Sequence, residues 1–127
     1  MITLIDYKRI TQLLLHKALV GKIDELEQKL YLFSIIDSKE VPVDLVTMNT
    51  EILVHDIEDD RSFVVKLTYD LESQDGKSIS VFNPLGSSLL GMKRGERKVY
   101  RDKTGRYREI EVKSILFQPE ANGHYEL

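Results

Sequence analysis

The first 36 residues carry apolar side chains at helical spacing, in two sets that a glycine separates. Apolar positions three or four residues apart fall on one face of a helix, and the second set has the 3-4-3 spacing of a coiled-coil seam. The two sets are Tyr7, Ile10, Leu13 and Leu14, followed by Ile23, Leu26, Leu30 and Phe33. Because the connection at Gly21 is short, the pattern predicts an antiparallel helical hairpin.

The hairpin is expected to be short and to rest on the remainder of the chain. Asp6 is predicted to cap the first helix, and Gly21 to end it or to form the turn. At about 1.5 Å per residue, arms of about a dozen residues give a finger of about 15 to 20 Å. Residues 29–36, KLYLFSII, are apolar nearly all round, so the base of the hairpin must be covered by a second unit.

The periodicity changes after a polar connector at residues 37–44. Pro42 disfavours helix at the residue before it, and from Leu45 onward the alternation has the period of two that is typical of strands. We therefore divide the chain into a helical hairpin with its connector, residues 1–44, and a β domain, residues 45–127. The predicted fold class is α+β.

Five strands are expected in the β domain. They lie at 51–57, 62–71, 78–82, 96–101 and about 107–118, and the first three are predicted to form an antiparallel meander, with Asp75-Gly76 as one turn. The apolar positions of the last strand change phase, which predicts a bulge near Lys113 or Ser114.

The stretch FNPLGSSLLG, residues 82–91, interrupts the strands and reads as a two-turn helix at 84–90. Asn83 is a good cap, Pro84 suits the first helical position, and Gly91 suits the position just past the end. The three leucines Leu85, Leu89 and Leu90 then lie on one side. They predict a short helix that covers one face of the sheet.

Charge and composition exclude several classes of protein. The chain has no cysteine, which excludes disulfides and thiolate metal sites and suits the cytoplasm. No apolar run approaches the roughly 20 residues of a membrane span. The net charge is −3, but residues 93–108, KRGERKVYRDKTGRYR, are locally basic. This run predicts either contact with an acidic protein surface or nucleic acid, or an ordinary solvated hairpin.

The stretch NPLGSSLLGMKRGE resembles the carboxy-terminal domain of the GreA/GreB transcription elongation factor family. Two further stretches, VPVDLVTMNTEI at 41–52 and FQPEANGHYEL at 117–127, resemble a member of that family with a short coiled coil. The resemblance implies an FKBP-like fold for the β domain and binding to bacterial RNA polymerase at the rim of its secondary channel. It also implies that any contact with DNA or RNA is made only indirectly, through the polymerase complex.

Carried onto this sequence, the resemblance assigns rim binding to Asn83, Pro84, Leu85 and Ser87, and Asn83 departs from the serine common in the family. The basic run adds an electrostatic patch at Lys93, Arg94, Arg97, Lys98 and Arg101.

At the hairpin tip lie Lys17, Lys22, Asp24 and Glu25. In Gre factors an acidic tip pair helps to hold a second Mg²⁺ for RNA cleavage, and carboxylates are the hard oxygen ligands that Mg²⁺ prefers.

Asp24 and Glu25 also have an ordinary explanation, because carboxylates in the first turn of a helix complement its dipole. The finger is short as well, so cleavage is not expected. The preferred hypothesis is a monomeric, non-catalytic regulator that needs no cofactor or metal and contacts no membrane. The alternatives are a true cleavage factor that uses Asp24 and Glu25, and an FKBP-like peptidyl-prolyl isomerase.

Overall fold

The computed structural model describes residues 1–18, 35–69 and 77–123, which form an α+β fold around a curled, mixed sheet. The helices are α1 (Leu4–Ala18) and α2 (Pro84–Leu89). The strands are β1 (Ile2–Thr3), β2 (Ile35–Ile36), β3 (Glu51–Asp56), β4 (Arg61–Thr68), β5 (Ser78–Ser80), β6 (Arg97–Arg101) and β7 (Tyr107–Phe117). Among these residues, neither helix has the length and apolar character that crossing a membrane requires.

The main sheet has five strands in the order β5-β4-β3-β7-β6. Its pairs are antiparallel except that β5 runs parallel to β4, with Leu67 opposite Ile79. The prediction of an antiparallel meander is therefore wrong at β5. A parallel neighbour cannot be reached by a tight turn, because the chain must first travel back along the strand. The predicted turn at Asp75-Gly76 lies outside the described residues.

The predicted bulge in the last strand is confirmed. Val112 lies opposite Val54 and Ser114 opposite Leu53, so Lys113 is an extra residue in β7. A second irregularity follows between Ile115 and Phe117. Each extra residue changes which side chains of the strand face the core, and this explains the change of phase in the sequence.

One hydrophobic core lies between the concave face of the sheet, α2 and the N-terminal residues. Ile2 and Ile10 belong to the same buried cluster as the strand residues. The other buried members are Val46, Met48, Ile52, Val54, Val65, Leu67, Val81, Leu89, Leu90, Met92, Ile110 and Val112. The N-terminal strand and α1 therefore contribute to this core through Ile2 and Ile10.

The N-terminal region departs from the predicted hairpin in two places. Helix α1 begins at Leu4, and the hydroxyl of Thr3 accepts the backbone N–H of Asp6 at 3.0 Å, so Asp6 is not the N-cap. Residues 35 and 36 are not helical, because Ile35 pairs in parallel with Ile2 in a small second sheet. Residues 19–34, which include Gly21 and the proposed coiled-coil seam, lie outside the described residues.

Two single turns of 3-10 helix complete the fold. The first, Ser38–Glu40, is capped by Asp37, whose carboxylate accepts the Lys39 N–H at 2.9 Å. The second, Glu120–Asn122, follows β7 and ends at Gly123. The second turn places the Glu120 carboxylate beside Thr47.

Candidate functional site

Helix α2 begins with the cap that its sequence predicts. The side-chain oxygen of Asn83 accepts the backbone N–H of Leu85 at 3.0 Å, and Pro84 occupies the first turn. The hydroxyls of Ser87 and Ser88 donate to the carbonyl oxygen of Pro84 at 3.2 and 2.8 Å. These bonds fix the backbone at the exposed end of the helix.

Both ends of α2 are tied to the rest of the fold through the backbone. Before the helix, the N–H of Asn83 donates to the carbonyl of Ser80 at 3.0 Å, and after it the N–H of Gly91 donates to that of Val46 at 3.0 Å. Gly91 has a φ of +83°, in the region that favours glycine. The loop before α2 is therefore held on a rigid base.

Gly86 allows α2 to pack directly on the end of β5. A Cβ at this position would lie 1.9 Å from the carbonyl oxygen of Ser80, which is a backbone atom. The sequence pattern did not single out Gly86, since a glycine inside a short helix is a weak signal without knowledge of what lies against it.

The predicted rim-binding residues differ in exposure. Asn83, Pro84 and Leu85 are half-buried, and Leu85 also packs against the core. Ser87 is only 6% exposed. A partner contact at Ser87 stays a prediction, and the accessible part of this surface consists of Asn83, Pro84 and Leu85, here called the α2 surface.

The predicted basic patch is divided between the two faces of the sheet. Arg97 and Arg101 project from one face of the edge strand β6, whereas Lys98 projects from the other, because successive residues of a strand alternate. Lys93 is half-buried and pairs with Leu45 in an isolated bridge, and Arg94 is exposed beyond it. The five residues do not form one continuous patch.

Two of these basic side chains are already engaged. Arg97 donates to Glu111 at 2.9 Å, and Lys113 lies 3.1 Å from the same carboxylate. Hydrogen bonds from Lys113 and Arg97 lower the pKa of Glu111. Arg101 donates to the carbonyl of Gly105 at 3.2 Å, and its guanidinium lies over the ring of Tyr107, 5.9 Å from its centre.

The acidic turn at 55–60 is held by internal contacts. Arg108, from the basic run, donates to Asp56 at 2.8 Å and also to Asp59. Burial alone would raise the pKa of Asp56, but bonds from Arg108 and from the N–H groups of Asp59 and Glu58 lower it overall. Within the described ranges, no three His, Asp or Glu side chains are grouped so that they could hold a metal ion.

A buried carboxylate joins α1 to the β domain. Asp6 is 1% exposed and accepts the N–H of Met48 at 3.1 Å and the hydroxyl of Tyr69 at 2.7 Å. Burial raises the pKa of Asp6, and burial with the nearby Asp6 charge raises that of Tyr69. The Arg9 guanidinium lies over the Tyr69 ring, 5.8 Å from its centre.

A second buried carboxylate holds the C-terminal turn. Glu120 is 8% exposed and accepts the hydroxyl of Thr47 at 2.9 Å, and Thr47 is bonded in turn to Thr50 at 3.0 Å. Burial, together with the Asp6 charge, raises the pKa of Glu120. Glu120 and Thr47 are 73 residues apart in the chain, so the local pattern did not predict their contact.

The predicted hairpin tip is mostly outside the described part of the chain. Lys22, Asp24 and Glu25 lie in the stretch 19–34. Lys17 lies in the last turn of α1, and its side chain is not described. The roles predicted for these four residues stay predictions.

Comparison with known proteins identifies relatives over most of the chain. The family described as transcription elongation factor GreA/GreB, C-terminal, matches residues 41–117. The regulator of nucleoside diphosphate kinase from Escherichia coli K12 is 32% identical over 124 residues, which is 95% of this chain and 91% of that protein. Transcription elongation factor GreA from Chloroherpeton thalassium is 33% identical over 78 residues, 60% of this chain but only 49% of that longer protein.

Solved structures agree with the sequence relatives. A prokaryotic transcription elongation factor GreA/GreB from Nitrosomonas europaea has a TM-score of 0.73 at 25% identity, covering 91% of this chain and 98% of that one. GreA factor homolog 1 of Thermus thermophilus shares the fold, with a TM-score of 0.50 at 18% identity over 91% of this chain and 97% of that one. The resemblance carried by NPLGSSLLGMKRGE is confirmed, and the chain belongs to the GreA/GreB transcription elongation factor family.

Proposed function

We propose that this protein regulates transcription by binding RNA polymerase at the rim of the secondary channel, without catalysing a reaction of its own. Membership of the GreA/GreB family supports a role in transcription. The observation that carries the finer proposal is the α2 surface. Pro84 matches the family's rim-binding loop, Asn83 stands where serine is common in the family, and both residues are partly accessible here.

The local geometry favours this role. Asn83 and Pro84 are fixed by the cap, by two hydroxyl bonds to the Pro84 carbonyl and by the backbone bond to Ser80. A surface that is already ordered loses little conformational entropy when a partner binds. The α2 surface can therefore act as a preformed contact, with Leu85 as its apolar residue.

The proposed mode of action is occupancy. Where two proteins compete for one site, the share of each depends on its concentration divided by its dissociation constant. A chain with a short finger would exclude longer Gre-type factors from the channel entrance. The name of the Escherichia coli relative refers to nucleoside diphosphate kinase. We propose that any such effect here is indirect and follows from transcription in the cytoplasm.

The test is binding of the full-length chain to bacterial core RNA polymerase, with GreA as competitor and RNA cleavage measured in the same samples. We expect binding that GreA displaces and no stimulated cleavage. The variant Leu85→Ser, combined with Pro84→Ala, should weaken binding about tenfold or more. The matched control is Val64→Ser, which changes an apolar residue 47% exposed on the opposite face of the sheet. Wild-type binding too weak to detect at moderate salt would overturn the proposal.

Two other functions are distinguished by the same protein preparations. Stimulated cleavage that disappears in the Asp24→Asn, Glu25→Gln double variant, with binding unchanged, would identify a cleavage factor instead. An FKBP-like domain also brings the prolyl isomerases into consideration, although fold alone does not confer activity. Proline isomerisation at the uncatalysed rate would remove that alternative.

A further inference from the structure

A cleft of about 380 Å³ runs along the last residues of β7, and none of the residues that line it belongs to the α2 surface. One wall consists of five consecutive residues, 114–118. The other residues around it are Val43, Asp44, Arg94, Ala121 and Asn122. A cleft lined by consecutive residues of a strand follows the edge of that strand, because alternate side chains point to opposite faces.

The outer edge of β7 has no strand partner at residues 114–116 within the described part of the chain. β6 pairs with β7 only from Tyr107 to Glu111, and the loop before β6 adds bonds at Val112. Beyond that point, among the residues that the structure describes, only β3 pairs with Ser114 and Ile115, and Leu116 is the extra residue at the second irregularity. The bulge at Lys113 directs this end of β7 away from β6, and the backbone there is open to another strand.

Apolar side chains border the open edge. Val43 is 70% exposed and Leu116 is 53% exposed, and both line the cleft. Such residues next to an unpaired edge are a liability unless something binds there, because they favour pairing with another chain. Together they offer one apolar position for a side chain of a bound segment.

The exposed charge of the cleft is positive, because Arg94 is exposed whereas Asp44, the acidic residue of the lining, is half-buried. Arg94 is exposed and forms no ion pair within the described part of the chain, although its neighbours Arg97 and Arg108 do. Its backbone N–H donates to the carbonyl of Asp44 at 2.9 Å, which holds it at the rim of the cleft. A carboxylate on the ligand could pair with this guanidinium through two parallel hydrogen bonds.

A buried acceptor at one end of the cleft lacks a donor. Gln118 is 2% exposed, and its amide nitrogen donates to the carbonyls of Pro42 and Leu45 at 2.8 and 2.6 Å. These two bonds fix the orientation of the amide. Its oxygen is then left buried with no donor among the described residues, which is unfavourable unless a bound group supplies one.

We propose that this cleft, here called the β7 cleft, binds an extended acidic peptide segment of another protein by strand addition. The segment extends the sheet at Ser114–Leu116, places an apolar side chain between Val43 and Leu116, and pairs a carboxylate with Arg94. In this binding mode main-chain hydrogen bonds supply affinity and side-chain contacts supply specificity. The inference does not depend on the proposed polymerase contact, since it uses a different surface.

The experiment selects peptides from a phage-displayed library of random twelve-residue sequences against the full-length chain, with counter-selection against a Val43→Ser, Leu116→Ser double variant. Selected sequences are then made as labelled peptides and measured by fluorescence anisotropy. We expect acidic sequences with alternating apolar residues. The double variant should bind these peptides about tenfold or more less tightly than the wild type, and Arg94→Glu about fivefold or more less tightly.

Control variants separate the cleft from general surface effects. Val99→Ser changes an apolar residue 55% exposed on the far edge strand, and Arg106→Glu reverses an exposed charge in the β6–β7 turn. Both should bind the peptides as the wild type does. Circular dichroism and thermal unfolding establish that each variant is folded. Polymerase binding by the Val43→Ser, Leu116→Ser double variant should be unchanged, so failure here and failure of the proposed function are distinguishable.

Strand addition is tested by N-methylation of the selected peptides. Methylation of every second amide in one register should abolish binding, whereas methylation in the other register should be tolerated. The amide of at least one residue from Ser114 to Leu116 should become protected from hydrogen exchange in the complex. Three results would each overturn the proposal. The peptides could bind equally well after N-methylation in either register, the selection could yield no sequence that depends on the cleft, or the chain could associate with itself through this edge.

Discussion

Gly86 lies where α2 packs on the end of β5, and a side chain there would meet backbone. A Cβ would be 1.9 Å from the oxygen and 2.8 Å from the carbon of the Ser80 carbonyl. Neither atom can be moved by a change of rotamer. We expect Gly86→Ala to lower the free energy of unfolding by about 2 to 3 kcal/mol, as overpacking does, measured by urea denaturation.

The control for this change is Gly95→Ala. Gly95 has a φ of +88° but nothing within 4 Å of the added methyl group. Gly95→Ala should lower the free energy of unfolding only by the cost of a positive φ for alanine, about 1 kcal/mol. Equal losses at the two glycines would show that contact with Ser80 does not limit position 86.

Asp6 should make stability depend on pH in a defined direction. Burial raises its pKa above the ordinary value of 3.8, so the folded chain holds this proton more tightly than the unfolded chain. Between the ordinary and the raised value the folded state binds more protons, and its stability therefore falls as the pH rises. In Asp6→Asn this contribution is absent.

The measurement is urea unfolding of wild type and Asp6→Asn from pH 4 to pH 8. The unfolding free energy of the wild type minus that of the variant should be largest at the acid end and should decrease as the pH rises. Glu120 and the paired Asp56 and Glu111 occur in both proteins, so most of their contributions cancel. A difference that increases with pH would contradict the assignment.

At the scale of the residue, sequence predicted what depends on near neighbours and missed what depends on distant ones. Asn83, Pro84 and Gly91 were assigned correctly because a cap, a first-turn proline and a terminal glycine act within one turn. Asp6 was assigned to a cap because its residue type suits one. Its actual partners, Met48 and Tyr69, are remote in the chain.

At the scale of the element, α2 depends on its N-cap. Asn83 satisfies the N–H of Leu85, which has no partner inside the helix. We expect Asn83→Ala to cost about 1 kcal/mol and Asn83→Ser, which keeps a capping oxygen, to cost much less. Thermal and urea unfolding of the two variants measure this difference. Equal losses would mean that the amide contributes through some other contact.

The strands show what hydrophobic periodicity predicts and what it does not. It located all five strands of the main sheet to within a few residues, since alternation reports directly on a half-buried strand. It did not give the direction of β5, because a strand has the same alternation whether it pairs parallel or antiparallel. The two short strands β1 and β2 were missed, since two residues are too few to show a period.

The sequence did not predict the β7 cleft either, because hydrophobic periodicity does not show which strands pair. The change of phase in the sequence located the bulge at Lys113, but not its consequence for the neighbouring strand. Whether β6 follows β7 past the bulge depends on where the chain leaves α2. That path is set by bonds such as the one from Gly95 to Val112, which no local pattern encodes.

At the scale of the whole molecule, the N-terminal residues and the β domain share one core, and this bears on the boundary predicted at residues 44 and 45. Ile2 and Ile10 are 1% and 0% exposed in the cluster that includes Met48 and Val54. Removing a buried isoleucine side chain typically costs about 2 to 5 kcal/mol. Loss of two would approach the roughly 5 to 15 kcal/mol that stabilises an entire domain.

A fragment of residues 37–127 should therefore be marginally stable at best. It lacks both isoleucines, and it leaves the N–H of Met48 and the hydroxyl of Tyr69 without the Asp6 carboxylate. We expect a broad or absent thermal transition and strong binding of a hydrophobic dye. In the full chain, Ile10→Ala should lower stability by about 3 kcal/mol, whereas Leu4→Ala, at a residue 44% exposed, should change it far less. A fragment that unfolds cooperatively at the temperature of the intact chain would show instead that the β domain is an independent unit.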